Sequence, residues 1–368
     1  MLMRVEEIRA YPLRIKAEEK LKGGTFSYEY YQSVVIRAVC DGVEGWGEAM
    51  TRFSPRATSL LVDYIGAKLK GRKFESPLEA WKEVWRELRI RGHTRGTDVE
   101  ALSGIEIALY DCLGRMKKMR LCEMLSGSAA KTVPAFAGSL FVSRGKTERQ
   151  VEVARASGLV GAKVKIGFGA EKDRKIISEV RAKWPEAMLV ADANGAYGVR
   201  EAERACAMFK DLDLAWFEEP LLSDDWAGYV RLGKQKSVRI GAGESWFAGD
   251  LAAALEAGLV DVVEPSVSRC GGVGVEFQTG KLAAKRKVRF APMTGMNSAI
   301  SLAASLHIAA AVPTVGVEYN PFRNPLQEDL ATGIPEPSDG SIAPPGGYGL
   351  GVEVDRDFVR KNSTQHDA

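Results

Sequence analysis

Three acidic residues recur at equal intervals, each directly after a short run of apolar residues. They are Asp192, Glu218 and Glu244, and 26 residues separate each from the next. That interval matches one strand–helix repeat, so the three acids are predicted at the same height on neighbouring parallel strands. Carboxylates brought together repel one another unless a cation neutralises them, and oxygen ligands without His or Cys suit Mg²⁺. The spacing therefore predicts a magnesium site at the carboxyl ends of the strands.

Each acid taken singly has a simpler interpretation, as a helix N-cap or as a solvated loop charge. Asp192 could be bonded within its own turn, and Glu219, which follows Glu218, is interpreted as structural. The equal spacing of the three acids, one strand–helix repeat apart, is what favours the metal site.

Two lysines stand on the preceding apolar segment, Gly161-Ala162-Lys163-Val164-Lys165. Residues two apart on a strand share a face, and a barrel strand is covered by helices outside, so both lysines should point inward. Each ammonium should lower the pKa of the other, moving one toward a value suited to a general base. The alternative is a pair of surface lysines on a short edge strand.

The elements that must position these residues form a repeating pattern after residue 130. Short apolar segments alternate with amphipathic helical segments at about 25 residues per unit, which predicts parallel strands joined by crossover helices. Eight strands suggest a closed (β/α) barrel of the (β/α)7β type, and an open doubly wound sheet is the alternative. The predicted strands are residues 133–137, 162–166, 188–191, 214–217, 239–242, 260–263, 288–291 and 314–317.

The first part of the chain reads differently, as strands followed by helices. Residues 5–13 and 33–40 have strand character, and Asp41-Gly42 supplies a turn. Helices are predicted over 57–70, 78–90 and 101–114. We therefore expect an N-terminal α+β capping domain over residues 1–130, a barrel over 131–325, and a Pro- and Gly-rich segment, 326–368, that packs back on the capping domain.

Composition argues against several other classes of protein. The 368 residues carry 51 basic and 48 acidic side chains, scattered rather than clustered, which gives no indication of nucleic-acid or membrane binding. The five cysteines show no CxxC pairing and read as reduced packing residues. No apolar segment approaches a membrane span or a signal core, so a cytoplasmic protein acting on a small molecule is expected.

Taken together, these residues resemble the enolase superfamily, specifically its mandelate racemase and muconate lactonizing branch. The resemblance covers nearly the whole chain. It also includes the stretches Glu44-Gly45-Trp46-Gly47-Glu48-Ala49, residues 101–111, and Arg269-Cys270-Gly271-Gly272.

The resemblance implies an enzyme that removes the proton next to a substrate carboxylate. It implies that Asp192, Glu218 and Glu244 hold Mg²⁺ with support from Asn194, that Lys165 is the base, and that Lys163 assists it. It also leads us to expect a homo-oligomer, and loops of the capping domain that select the substrate. The counterparts of those loops here are residues 22–28 and 50–54, in which Lys22, Tyr28 and Arg52 supply donors suited to a polyhydroxy acid.

The chain departs from the pattern of relatives that move a proton between two faces of a carbon. Such relatives carry a second base across the site, whereas Ser266 stands after the sixth strand here and no His follows the seventh. The three histidines, His93, His307 and His366, read as solvated or packed side chains. Ser266 is itself a candidate for a substrate contact. Glu264, Glu318 and Tyr319 are the other candidates for a facing acid or a substrate contact, and Glu264 could equally be a deeper partner of a lysine.

One lysine can act as base and then as acid in a syn elimination, so the missing partner favours a dehydratase of an aldonic or aldaric sugar acid. A racemase, epimerase or cycloisomerase with an unrecognised second acid is the alternative. A third hypothesis is a catalytically inert relative that only binds metal.

Overall fold

The computed structural model describes residues 2–52 and 54–364. Its N-terminal part is an antiparallel sheet in the order β3-β2-β1-β4, packed against helices. The strands are β1 (Met3–Lys22), β2 (Ser27–Cys40), β3 (Val43–Met50) and β4 (Lys73–Phe74), and the helices are α1 (Pro55–Leu69), α2 (Pro77–Ile90), α3 (Thr97–Lys117) and α4 (Leu121–Ser126). Asp41 and Gly42, with φ of 45° and 75°, form the predicted two-residue turn between β2 and β3.

The hairpin of β1 and β2 is longer than the sequence predicted. Its pairing continues to Leu21↔Tyr28 and Lys22↔Ser27, so residues expected in a loop belong to an extended arm. Residues 23–26 form the tip of this arm. The tip touches the barrel: the Gly24 N–H donates to the carbonyl of Ile166 (3.2 Å), and the Thr25 hydroxyl donates to the carbonyl of Asn194 (3.1 Å).

The rest of the chain is dominated by eight parallel strands, all of which the sequence predicted. They pair in the order β11-β10-β9-β8-β7-β6-β5-β12. Their bounds are β5 (Val133–Leu140), β6 (Gly161–Lys165), β7 (Met188–Asp192), β8 (Trp216–Glu218), β9 (Ile240–Ala242), β10 (Val262–Val263), β11 (Arg289–Phe290) and β12 (Val317–Tyr319). The two edges approach each other, because the Val315 N–H donates to the carbonyl of Phe290 (2.9 Å). The sheet thus curls into a barrel, and an open doubly wound sheet is excluded.

Helices cover the outside of this barrel between successive strands. They are α5 (Thr147–Ala156), α6 (Ala170–Lys183), α7 (Val199–Phe209), α8 (Trp226–Gly233), α9 (Ala248–Ala257), α10 (Val273–Arg286), α11 (Ala299–Ala311) and, after β12, the short α12 (Pro325–Glu328). Inside, Phe136, Val190, Trp216, Val262 and Ala291 pack together, which fills the barrel below its mouth. No helix in the described ranges combines the length and the apolar character needed to cross a bilayer.

Two buried carboxylates of the N-terminal part bind the first turns of barrel helices. Glu48 accepts hydrogen bonds from the Ser298 N–H (3.1 Å) and hydroxyl (2.6 Å) at the start of α11. Glu106 accepts from the Gly274 N–H (3.2 Å) in the first turn of α10. Helix N-termini favour negative charge, so these contacts fix the capping sheet over the barrel.

The C-terminal segment contacts both parts of the molecule. Its elements are β13 (Ala331–Thr332), β14 (Ser341–Ile342), β15 (Glu353–Val354) and α13 (Arg356–Asn362). β14 pairs antiparallel with β5, while the Leu350 N–H donates to Asp111 of α3 (2.8 Å) and Arg115 donates to the carbonyl of Val352 (2.7 Å).

Candidate active site

The parallel register brings the predicted acids to one edge of the barrel. Lys165 pairs with Asp192, and Asp192 pairs with Glu218, so the last residues of β6, β7 and β8 lie side by side. Glu244 follows β9 by two residues. All three acids are buried, with side chains at most 3 % exposed. Asp192 and Glu218 thus lie at the predicted equal height, whereas Glu218 pairs with Gly241, so Glu244 lies three residues further toward the mouth of the barrel.

Lys163 lies two residues before Lys165 on β6, deeper in the barrel, and is surrounded by acids. Its Nζ is 3.0 Å from Glu218 and 3.6 Å from Asp192, and it also contacts Glu318 at the end of β12. Burial disfavours the ammonium, but these carboxylates outweigh burial and hold the pKa of Lys163 well above its ordinary value. Lys163 is therefore a fixed positive charge.

Lys165 stands at the mouth, where its Nζ contacts Asp192 and lies 3.0 Å from the side-chain oxygen of Asn194. Both lysines point inward, as predicted. The predicted pKa is wrong in sign: burial and Lys163 lower it, but Asp192, Glu244 and Glu218 together raise the pKa of Lys165 above its ordinary value. The reason is that three nearby carboxylates outweigh one neighbouring ammonium.

Glu244 is tied to the capping domain by Arg52, whose Nη2 is 3.0 Å from Glu244 Oε1. Asn194 also approaches this oxygen, at 3.4 Å. Burial alone would raise the pKa of Glu244, but Arg52 and the two lysines outweigh it and lower the pKa to about 2. Glu244 is thus an ionised carboxylate where the barrel meets the capping domain, whose segments 22–28 and 50–54 are together called the lid below.

The backbone turns sharply at two positions beside these acids. Asn194 and Glu219 have positive φ values of 45° and 38°, in a region that favours glycine. Glu219 is buried, and its Oε1 receives no hydrogen bond from the described residues. Burial, then the charges of Glu244 and Asp192, raise the pKa of Glu219 to about 8. Strain of this kind is concentrated at functional sites.

The three acids have the oxygen ligands of a hard-cation site, although in this structure each of them forms an ion pair with a lysine or an arginine side chain. Within residues 2–52 and 54–364 no group of three or more Asp, Glu, His or Cys side chains is arranged around one point to hold a metal. Asp192 contacts Lys165, Glu218 contacts Lys163, and Glu244 contacts Arg52. Glu218 Oε2 is buried and accepts no hydrogen bond from the described residues. An all-oxygen, strongly negative and partly unsatisfied donor set fits Mg²⁺.

Glu264 lies below the site rather than across it. It accepts a hydrogen bond from the Trp216 indole (2.9 Å) and is buried inside the barrel. Burial, followed by the charge of Glu218, raises the pKa of Glu264 well above its ordinary value. Of the two interpretations left open, the geometry agrees with that of a deeper partner of Lys163, whose pKa Glu264 raises.

The cavity beside Lys165 has an apolar part, and its other polar members besides the lysines and the strand-end residues are Tyr28, Arg52 and Glu318. Met293 and Met296, in the loop after β11, line a cavity of about 20 Å³ together with Phe26 and Phe141. That volume holds about one water molecule. Ser266 does not reach the cavity, since its hydroxyl lies 3.3 Å from that of Ser268 and 3.5 Å from Asn297.

The histidines lie away from this cavity. His307 is buried in α11, where its ring contacts the Cys122 N–H and the Leu350 carbonyl, and burial lowers its pKa to about 4. His93 is exposed beside Asp98, and His366 lies outside the described residues.

The predicted substrate contacts in the lid and at the end of the eighth barrel strand separate into residues that line the site and residues that do not. Tyr28 and Arg52 line both the inner cavity and a larger outer one of about 650 Å³. Lys22 is exposed and lines neither of them, and Tyr319 faces away from the mouth, with its hydroxyl 3.2 Å from Glu336. Lys22 and Tyr319 are therefore not brought to the site, whereas Glu318 is.

Sequence reasoning missed the aromatic part of the lid. Phe26, at the hairpin tip, packs against Tyr28 with the rings tilted by 39° (4.7 Å between centroids) and meets the buried Phe141 edge-on (6.3 Å). Lys165 Nζ is 5.6 Å from the Phe26 centroid. The available signal was Gly23-Gly24 before two aromatics, which is typical of a tight turn presenting apolar side chains.

A second large cleft, of about 670 Å³, lies on the flank between α2, α9 and α10. Its lining is mainly apolar, including Trp81, Trp85 and Leu282. It contains neither Lys163 and Lys165 nor the three acids of the barrel mouth. Size alone does not mark the active site, which is identified by its charged groups at the strand ends.

Comparison with known proteins agrees with this geometry. Residues 146–358 match the family described as enolase C-terminal domain-like, and residues 19–126 match the mandelate racemase / muconate lactonizing enzyme N-terminal domain. Members of this superfamily use Mg²⁺.

Individual relatives cover nearly the whole chain. D-galactarolactone cycloisomerase of Agrobacterium fabrum is 30% identical over 97% of this chain and 98% of its own. Arabinonate dehydratase of Saccharolobus solfataricus is 28% identical over 87% of each chain. The crystal structure of a racemase from Streptomyces coelicolor with bound magnesium shares the fold, with a TM-score of 0.89, 24% identity, and coverage of 98% of this chain and 100% of that one. The chain therefore belongs to the enolase superfamily, in its mandelate racemase / muconate lactonizing enzyme family.

Proposed function

We propose that this protein is a Mg²⁺-dependent lyase that dehydrates an aldonic or aldaric sugar acid to a 2-keto-3-deoxy product. The observation that carries the proposal is the asymmetry of the barrel mouth. Lys165 and the acid triad stand at the ends of neighbouring strands, whereas the cavity beside Lys165 is otherwise lined by Met293, Met296, Phe26 and Phe141. Its other polar members are Asn194, Tyr28, Arg52 and Glu318, and among the described residues no histidine and no further lysine beyond Lys163 lines it. Removal and return of a proton on one face needs only one base, and elimination is such a reaction.

Asp192, Glu218 and Glu244 would hold the metal, with Asn194 in support through its contacts to Lys165 and Glu244. A divalent cation bound there would offset the charge that develops on the substrate carboxylate, and would also offset the carboxylate charges that raise the pKa of Lys165.

Lys165 then acts twice. Its neutral amine takes the proton from the carbon next to the carboxylate, and the resulting ammonium gives a proton to the hydroxyl leaving the next carbon. The carbon–oxygen bond breaks, water departs, and the enol product becomes a 2-keto acid. Lys163, held charged by Glu218 and Glu318, would keep a positive potential beneath the substrate carboxylate.

A second candidate is ring opening of a cyclic sugar acid, a cycloisomerisation. It is supported by the 30% identity to D-galactarolactone cycloisomerase and requires the same proton removal. The difference lies in the leaving oxygen, which stays attached to the product when it belongs to a ring.

The two candidates are separated by incubating the protein and Mg²⁺ with aldonic acids, aldaric acids and their lactone and anhydro forms. Formation of a 2-keto acid lighter by one water supports dehydration, and a keto product of unchanged mass supports ring opening. Activity should stop when a chelator removes the metal. If no sugar acid in any of these forms is consumed, the proposed function is wrong.

A further inference from the structure

The outer cavity adjoins the catalytic one. It opens between the β1–β2 arm and the carboxyl ends of β7, β8 and β9, with a volume of about 650 Å³. Five residues line both spaces: Phe26, Tyr28, Arg52, Asn194 and Glu244. A substrate whose carboxylate lies near Lys165 can therefore extend its other end into the outer cavity.

Two guanidinium groups line this outer space. Arg14 stacks over the ring of Tyr30, 3.8 Å from its centroid, and has no carboxylate partner among residues 2–52 and 54–364. Arg52 pairs with Glu244 alone, and its buried Nε has no hydrogen-bond partner in the same ranges. Guanidinium groups are suited to binding carboxylates through paired hydrogen bonds.

The acids lining the outer cavity are already engaged or buried. Glu29 is 2.7 Å from Lys20, which lowers its pKa. Glu219 is buried, and its Oε1 has no hydrogen-bond partner among residues 2–52 and 54–364. Glu244 is a proposed metal ligand, and metal binding there would satisfy its charge without Arg52. Arg14 is thus left as a guanidinium that lines the cavity without a carboxylate partner among the described residues.

We propose that the outer cavity binds the far end of the substrate and that this end carries a second carboxylate, held by Arg14 and Arg52. The inference rests on the proposed function and sharpens it, since it selects aldaric diacids over aldonic monoacids. The remaining lining residues, which include Thr25, Ser27 and Gln32, offer donors for the hydroxyl groups between the two ends.

Arg14 gives the cleaner test, because it is exposed and lies away from the acid triad, whereas Arg52 also touches Glu244. The experiment compares Arg14→Met with Arg200→Met, an exposed arginine of α7 that lines neither cavity. Both changes are placed in a Mg²⁺-loaded Lys165→Met protein, so that binding is measured by calorimetry without turnover. The probes are two matched pairs, D-glucarate with D-gluconate and galactarate with D-galactonate.

A diacid of at least one pair should bind about tenfold more tightly than its monoacid, which is the scale of one charge-assisted contact. Arg14→Met should remove most of that preference and leave monoacid affinity within about twofold, while Arg200→Met should change neither. Arg52→Met should also reduce the preference. Equal binding of diacid and monoacid, loss of both together in Arg14→Met, or no binding of any probe would overturn the inference. Turnover of monoacids with no diacid preference would overturn it while leaving the proposed elimination intact.

Discussion

The two walls of the barrel mouth differ in everything that matters for proton transfer. The wall built by β6 to β9 holds Lys163, Lys165 and the three acids, all anchored at strand ends. The rest of the cavity is built by loops and by the capping domain, and it presents Met293, Met296 and Phe26 together with Tyr28 and Arg52. The proposed elimination uses only the charged side, where one lysine can take a proton and give it back. In that proposal the difference between the walls is what restricts a fold able to support racemisation to elimination.

The most severe way to break this asymmetry is to remove the base. Lys165→Met should lower kcat by about 10³-fold, because general-base catalysis contributes on that scale and the described lining of the cavity offers no histidine and no lysine beyond Lys163. Lys175→Met, an exposed lysine of α6, is the matched control and should retain full activity. Steady-state kinetics on any substrate found in the sugar-acid assay measures both. Unchanged kcat in Lys165→Met would show that another group removes the proton.

Metal affinity should distinguish the proposed metal ligands of the charged wall from the acids that lie deeper in the barrel. Glu218→Gln should weaken Mn²⁺ binding by at least about 10²-fold, since even partners behind the ligands cost 10- to 100-fold. Glu264→Gln should change the affinity by less than about threefold, because its carboxylate accepts from Trp216 below the site and an amide oxygen can do the same. Titration followed by electron paramagnetic resonance distinguishes them. Equal effects of the two variants would place the metal elsewhere.

A change at the hairpin tip tests whether the lid must close over Lys165. A Cβ at Gly24 would lie 2.3 Å from the carbonyl oxygen of Gly167, so Gly24→Ala should push Phe26 away from Lys165. We expect kcat/KM to fall by about tenfold to 10²-fold, the cost of small misplacements in an active site. Gly249→Ala, in α9 where a Cβ meets nothing within 4 Å, should have no effect. Wild-type kcat/KM in Gly24→Ala would mean that the tip does not close the site.

Sequence periodicity predicted the charged wall well and the lid wall poorly. The eight barrel strands follow from recurring apolar runs, and the inward direction of both lysines follows from alternation along a strand. The 26-residue interval placed Asp192 and Glu218 correctly in register, whereas Glu244 lies three residues beyond the partner of Glu218. The same alternation could have separated Glu318, which faces Lys163, from its neighbour Tyr319, which faces Glu336. Parity is therefore informative wherever a residue lies on a strand.

The features that escaped prediction depend on distant parts of the chain. The sign of the pKa change at Lys165 depends on the balance between Lys163 and the three acids. The acids were predicted to converge there, but their distances to Lys165, which decide the balance, could not be predicted from spacing. The length of the β1–β2 arm and the position of Phe26 depend on contacts with Ile166 and Asn194, more than 130 residues away. Long-range packing of this kind leaves little trace in a local pattern.

The central claim is that protons move on one face of the substrate only. The most direct measurement is partial turnover of a consumed acid in D₂O, followed by analysis of the unreacted substrate for deuterium and configuration at the carbon next to the carboxylate. We predict that this carbon keeps its configuration, whether or not deuterium enters. Recovery of the opposite configuration carrying deuterium would reveal a second acid or base facing Lys165 and would contradict the account.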